Sequence, residues 1–501
     1  MIFCGITKLN TATEKSFFVE QIQIYVRLIE EYTEKHNLDS KSKDCPYEEM
    51  IAIGVINEAS ELPLIKELLG SFYARFEAAV CLVRDNRSEL FPLVSQLYNT
   101  HRKELQKQAL ESSNPTLADF FCGAGGLSLG FRQSGYNIVL ANDIEDVCIA
   151  TYKYNHPEVP ANRVLQGDIK TLIDNIDEYV DRAIDIVVGG PPCQGFSSAN
   201  KNHRVIDDPR NKLYKYFISA VQKLAPKFVV MENVKGMLKV ADQVVEDYSS
   251  IRVDVCGKSL HYSVGYRLLN SKNFSVAQSR ERLIYIAIRS DVMQEHNITP
   301  ETIFEAIEKH NRSNPTFTLA DALSHIRPLD APRIKNQNEI DSDACGKKID
   351  TNICRPGMNE YLDLINMGRD IPLIFNHKAR YCSDVNYEIY RRLDPGDDAT
   401  SDKVSDIMPY AHRNHCFKDK YYKLYADRPC RTITAHLRMD CHSHIHPTQV
   451  RSLTPREAAR VQSFPDDYLF MGAYLKTYMQ VGNAVPPVMA RGIAEQIKKY
   501  L

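Results

Sequence analysis

Ala183-Ile-Asp-Ile-Val-Val-Gly-Gly-Pro-Pro-Cys-Gln-Gly-Phe-Ser-Ser198 is the stretch around which the rest of the chain is arranged. Ile184 to Val188 is a short apolar run rich in β-branched residues. Gly189 and Gly190 end it, and Pro191-Pro192 stiffen the turn that follows. The pattern predicts a buried strand that delivers one thiol, Cys193, to the rim of a sheet. Proline fixes the local backbone, so the thiol is held in place. Such a cysteine is a nucleophile if a neighbour lowers its pKa or takes its proton, and otherwise a packed core residue. This stretch alone leaves both readings open.

Working outward, strands and helices alternate from Thr116. Leu117 to Phe121 reads as a strand, followed by Cys122-Gly-Ala-Gly-Gly126 and a helix through Arg132. Ile138 to Ala141 is the next strand, ending at Asn142-Asp143, and Val164-Leu165 precede Gly167-Asp168. Phe228 to Met231 ends at Glu232-Asn233, and Tyr266–Leu269 with Leu283–Ile288 read as an antiparallel pair at one edge. This alternation predicts an α/β fold with a doubly wound, mostly parallel sheet. Ligands of such sheets sit beyond the carboxyl ends of the strands. The glycine turn, Asp143, Asp168, Cys193 and Glu232 all fall at such ends.

Around this core lie a helical N-terminal region (1–114), an irregular region (301–430) and a C-terminal segment (431–501), with the α/β domain at 115–300. In the first, Thr11-Ala-Thr-Glu14 is a capping box, and Phe18, Ile22, Tyr25, Ile29 and Tyr32 repeat at helical spacing. Leu62–Val83 and Glu89–Leu105 read as two further helices. From about Asp291 to Arg428 periodicity fades and turn signals multiply. Thr454-Pro-Arg-Glu457 then caps a helix to about Gln462, and the last helix runs from Val488 to Lys499.

The 501 residues suffice for two or three cores. A formal net charge of −2 excludes a polycation, so contact with nucleic acid must come from local basic patches. Thirteen scattered cysteines without a Cys-x-x-Cys pair argue against a zinc ribbon or a disulfide framework and fit a reducing cytoplasm. The spacing of Cys441-His-Ser-His-Ile-His446 is that of neither a zinc ribbon nor a finger, so no metal site is expected. No run is long enough to span a bilayer, and no signal-peptide pattern opens the sequence.

The turn Gly123-Ala-Gly-Gly126, with an acid about 20 residues on at the end of the second strand, suits a cofactor carrying adenosine. It lacks the dinucleotide spacing and a Walker lysine. Gln278-Ser-Arg-Glu-Arg282 places Arg280 and Arg282 at strand spacing, one of them able to hold a carbonyl oxygen or pair with Glu232.

Taken together and in order, these motifs resemble those of the C5-cytosine-specific DNA methyltransferases of bacterial restriction-modification systems. The resemblance rests on Asp119-Phe-Phe-Cys-Gly-Ala-Gly-Gly-Leu127, Gly189 to Ser197, Glu232-Asn-Val234, Gln278 to Arg282, Arg451 to Pro465 and Gly482-Asn-Ala-Val-Pro-Pro487. In Phe274-Ser-Val-Ala-Gln278, Ser and Ala stand where the family usually has Gly and Pro. The resemblance implies the S-adenosylmethionine-dependent methyltransferase fold, with the irregular region as target-recognition domain. It implies Cys193 as nucleophile at C6 of a flipped-out cytosine, Glu232 at N3, and Arg282 with Arg280 at O2. S-adenosyl-L-methionine would lie against Phe121, Gly123, Gly125, Gly126 and Leu127. Asp143 would bind its ribose hydroxyls and Asp168 its adenine amino group, and Ile144, Ile169, Pro191, Leu213, Asn483, Ala484 and Val485 would complete the pocket. Cys122 reads as packing. The basic loop Asn200-Lys-Asn-His-Arg204 would close over the base. The implied partner is double-stranded DNA, met by a cytoplasmic monomer. The resemblance leaves room for a cognate restriction endonuclease at the same site, without a stable complex. An RNA-directed relative and a catalytically silent DNA-binding relative are the competing readings.

Overall fold

The structure is a computed structural model that describes residues 9–41, 47–192, 212–335, 340–351, 359–409 and 420–501. Its centre is an eight-stranded sheet of β1 (Thr116–Phe120), β2 (Asn137–Asp143), β3 (Val164–Gln166), β4 (Ile186–Gly189), β5 (Phe228–Asn233), β6 (Arg252–Val255), β7 (Lys258–Asn270) and β8 (Glu281–Arg289). The strand order is β3-β2-β1-β4-β5-β8-β7-β6. β1 to β5 pair in parallel, and β8, β7 and β6 add an antiparallel flank. The doubly wound, mostly parallel sheet is therefore as expected. β7 and β8 pair with each other, but β8 also pairs with β5, and the edge belongs to the unexpected β6. Its alternating Arg-Val-Asp-Val is too short to stand out from a loop.

The sheet is covered on both faces because successive side chains point to opposite sides. Leu117, Ile186, Val188, Val230 and Ile286 face the helices Gly126–Gln133, Pro300–Asn311 and Pro487–Ile497. Ala118, Val187, Val229, Met231 and Tyr285 face Lys212–Leu224 and Ala241–Ser249. The helix Pro300–Asn311, with its Thr299 capping box, belongs to this core although it follows residue 300.

The region after Asp291 is more regular than its sequence suggests, with helices Ser290–His296, Glu360–Asn366 and Asp384–Arg392 and a two-stranded ribbon, β9 (Gly346–Asp350) with β10 (Ile374–Lys378). Long-range pairing decides that ribbon, so local periodicity is silent about it. In the N-terminal region the helix Ala12–His36 carries the expected capping box and buries Phe18, Ile22, Tyr25 and Ile29. The two further helices are each broken. One is interrupted at Gly70 (φ 52°), giving Leu62–Leu69 and Tyr73–Asp85. The other divides into Arg87–Val94 and Asn99–Glu111.

Candidate active site

The carboxyl ends of β1, β2, β4 and β5 open onto one cleft of about 400 Å³. After β1 the chain turns sharply. Phe121 adopts φ 58°, a left-handed conformation that a non-glycine residue holds only where its surroundings enforce it. Gly123 donates its N–H to Asp143 at 2.8 Å, and Glu145 donates to the other carboxylate oxygen at 2.9 Å. Burial raises the Asp143 pKa, and these two backbone donors partly oppose the rise. The turn is pressed against the closing motif. A Cβ on Gly126 would stand 2.4 Å from the Val485 carbonyl oxygen, so the close approach requires glycine.

On the other side of the cleft, Glu232 near the end of β5 lies opposite Ile284 of β8 in an antiparallel register. Arg282 is two residues from Ile284 and so a diagonal neighbour on the same face. Its Nε lies 2.6 Å from Glu232 Oε1, with both side chains largely buried. Glu232 has room because position 190 is glycine: a Cβ there would be 3.0 Å from its Oε2. Asn233 donates to the Pro191 carbonyl at 3.0 Å, fixing the turn two residues before Cys193. Asn233 was visible in the sequence only as part of the Glu232-Asn-Val234 motif, with no role attached to it.

Arg280 plays a different part from Arg282. It is buried, and its guanidinium donates to the carbonyls of Ile433, Gly482 and Ala484 at 2.6, 3.0 and 3.1 Å. Gln278 accepts from the Ile433 N–H at 2.7 Å, and Gln462 donates to the carbonyls of Val481 and Ala484. Arg280 thus clamps the closing motif onto the sheet. Its Nε, buried beside the cleft, has no hydrogen-bond partner among the described residues.

Of the sequence-predicted cofactor residues, Phe121, Gly123, Gly126, Leu127, Asp143, Ile144, Pro191, Asn483, Ala484 and Val485 line the cleft together with Glu232, Arg280 and Arg282. Gly125 does not line it; it is the N-cap of the helix Gly126–Gln133, with φ 88°. Asp168 is exposed and caps the helix Ile169–Asp174 by accepting from the Lys170 N–H at 2.7 Å, while Ile169 is packed in the core beneath. Leu213 packs partly buried against that core and is likewise absent from the lining. A lone acid after a short strand also serves as a helix cap, a role that the sequence reading did not give it. Cys193 and the loop through Arg204 lie outside the described residues.

Asp119 was visible only as part of a motif. It is fully buried beside the cleft, accepts from Ser128 Oγ at 2.6 Å, and leaves Oδ1 without a partner among the described residues. Burial pushes its carboxyl up to about 8. The Cys122 thiol in the same wall is pushed well up by burial, then by the charges of Asp119 and Asp143, so it stays protonated and packed. In the histidine-rich stretch, Tyr390 contacts His442 at 2.7 Å, Ser443 contacts His444 at 2.9 Å, and His446 accepts from the Gln449 N–H at 3.1 Å.

A doubly wound sheet with a glycine turn, an acid at the second strand end and a cleft closed by the C-terminal segment defines an enzyme of the methyltransferase fold. Comparison with known proteins makes the class specific. Residues 116–499 match the family model of the C-5 cytosine-specific DNA methylases. The chain is 34% identical over 404 residues to the Type II methyltransferase M1.HphI of Haemophilus parahaemolyticus, covering 79% of this chain and 90% of that one. It is 30% identical over 441 residues to the Type II methyltransferase M.AgeI of Thalassovita gelatinovora, covering 76% and 98%. A solved E. coli structure, described as a candidate DNA modification methyltransferase encoded within a prophage, superposes with a TM-score of 0.57 at 24% identity, covering 77% of this chain and 99% of that one. The chain belongs to the C-5 cytosine-specific DNA methylase family and is a DNA cytosine methyltransferase.

Proposed function

We propose that this protein transfers a methyl group from S-adenosyl-L-methionine to C5 of a cytosine flipped out of a specific sequence in double-stranded DNA, with Cys193 as the nucleophile. The observation that carries the reading is one cleft lined on one side by the glycine turn with Asp143 and on the other by the Glu232–Arg282 pair, with Pro192 at its wall directly before Cys193 in the chain. The wall fits the cofactor's chemistry. Asp143 uses two of its acceptor positions on backbone N–H groups and keeps others for a ribose diol. The unpartnered Asp119 Oδ1 is a buried acceptor, and Phe121, Leu127 and Ile144 offer apolar surface. When bound, S-adenosylmethionine would supply an electrophilic methyl on a sulfonium, its S–CH3 bond breaking to leave the neutral thioether S-adenosylhomocysteine.

Cytosine C5 is a poor nucleophile. Addition of the Cys193 thiolate to C6 breaks aromaticity and makes C5 an enamine carbon able to accept the methyl. Glu232 hydrogen-bonds or protonates N3 as the thiolate adds, and Arg282 orients Glu232 and holds O2. Arg280 keeps the closing motif against the cleft. Loss of the C5 proton to water and elimination of Cys193, with any proton given to N3 returned to Glu232, restore the aromatic ring and the thiolate. A stacked base cannot reach such a site, so the cytosine is extruded. The reading carries with it a cytoplasmic monomer, and a companion restriction endonuclease at the same site with no lasting complex.

The test is base-resolution sequencing of 5-methylcytosine in unmethylated DNA incubated with protein and S-adenosylmethionine, with Cys193→Ala alongside. Methylation in one short sequence context, absent from the variant, is the expected result. Methylation equal to the variant's overturns it, and the same assay on RNA then decides the substrate.

A further inference from the structure

The family match begins at residue 116, so the helical region before it lies outside the shared enzyme. Its core does not stop at its own boundary. The residues buried with Phe18, Ile22, Val80 and Leu90 include Ile349 of β9, Phe375 of β10, and Leu469 and Met471 of the C-terminal segment. The helix Ala12–His36 also grips β9 and the turn before it by charge. Glu31 pairs with Lys347 at 2.9 Å, Glu20 pairs with Lys348, and Arg27 pairs with Asp341 at 3.0 Å. Lys35 donates to the Thr351 carbonyl at 2.7 Å. Glu20, Arg27, Glu31 and Lys35 share one face of the helix over four turns, so they fix register as well as proximity. The other strand is held from the enzyme side. Asn376 of β10 exchanges hydrogen bonds with the Phe470 backbone at 3.0 Å each way, and buried Arg456 donates to the Phe375 carbonyl at 2.6 Å. The ribbon therefore stands between two supports, one of which is the first helix.

We propose that the helix Ala12–His36 is a splint for the recognition region: Glu20, Arg27 and Glu31 are positioning residues that set the β9–β10 ribbon relative to the catalytic cleft, and so govern how tightly DNA is held. The inference rests on the proposed function for its DNA term, while the ribbon's rigidity is independent of it. Partly exposed ion pairs contribute little to overall stability, so their main effect is on geometry.

The test is the full chain carrying Glu20→Gln, Arg27→Met and Glu31→Gln together, which leaves the shared apolar core intact. Hydrogen exchange in β9 is expected to quicken by about 10-fold while β1 and β4 are unchanged, the signature of local opening. KM for DNA is expected to rise by about 10-fold, within the usual range of coupling between sites. kcat and cofactor affinity stay put. The swap of Glu31→Lys with Lys347→Glu restores exchange and KM towards the parent where Glu31→Lys alone does not. Unchanged exchange in β9, or equal losses in cofactor affinity and KM, overturns the splint. A parent enzyme that methylates no DNA overturns the proposed function instead, and the exchange arm still decides the splint.

Discussion

Glu232 and Arg282 come from segments fifty residues apart and meet because β5 and β8 are antiparallel neighbours. Their motifs are plain in the sequence; their pairing is a consequence of register. Replacing Glu232 with Gln is expected to slow methyl transfer by about 10²–10⁴-fold, the usual contribution of a positioned acid, without weakening cofactor binding. Methyl incorporation and calorimetric titration of cofactor check the two halves. Asp119 shows the reverse case, a residue whose chemistry comes only from depth. Its folded pKa of about 8 lies above the ordinary carboxylate value, so the folded state holds a proton that the unfolded chain gives up. Stability from this group is full at low pH and is lost as pH rises towards the folded value. The melting temperature of Asp119→Asn is expected to gain on the parent's between about pH 4 and about pH 8, as thermal melts across that range would show.

Among the elements, the helix Pro455–Val461 is the most completely specified by its own sequence. Thr454 caps it, accepting from the Glu457 N–H at 3.1 Å, while the Glu457 carboxylate returns to the Thr454 N–H at 2.7 Å. What local sequence does not show is that the element is fully buried. Arg451 binds Glu457 through two 2.7 Å contacts with both side chains inaccessible, and that charge holds the Glu457 carboxyl well below its usual range. Arg451→Met leaves a buried carboxylate unpaired and is expected to cost about 3–5 kcal/mol, read from the urea midpoint. The glycine turn behaves similarly. Gly126→Ala drives a methyl group into the Val485 carbonyl, and overpacking of about 1–3 kcal/mol with weakened cofactor binding is expected from melting and titration together.

At the scale of the whole molecule, the β9–β10 ribbon and the C-terminal segment carry buried neutral histidines. His377, His444 and His446 are each pulled down to about 3, first by burial. The unfolded chain takes up protons near the ordinary histidine value while the folded one refuses them, so stability is lost as pH falls from about 6.5 towards the folded values. The urea midpoint is expected to drop steadily from about pH 7 to about pH 4, and a flat profile there would contradict this. The same scale separates what the chain announces from what it conceals. Strand ends, the glycine turn and the capped helices were legible, because each is a local pattern of burial periodicity, backbone freedom or capping chemistry. The β6 edge, the β9–β10 ribbon, the clamp made by Arg280, the helix-capping role of Asp168 and the anchoring of the first helix on that ribbon were not. Each depends on a partner far along the chain, and a residue's sequence neighbours carry no record of what packs against it. The sequence by itself determined the family and the class of chemistry, because its motifs are local patterns. Tertiary structure alone decided which of them share a cleft, because burial and register are properties of the assembled sheet.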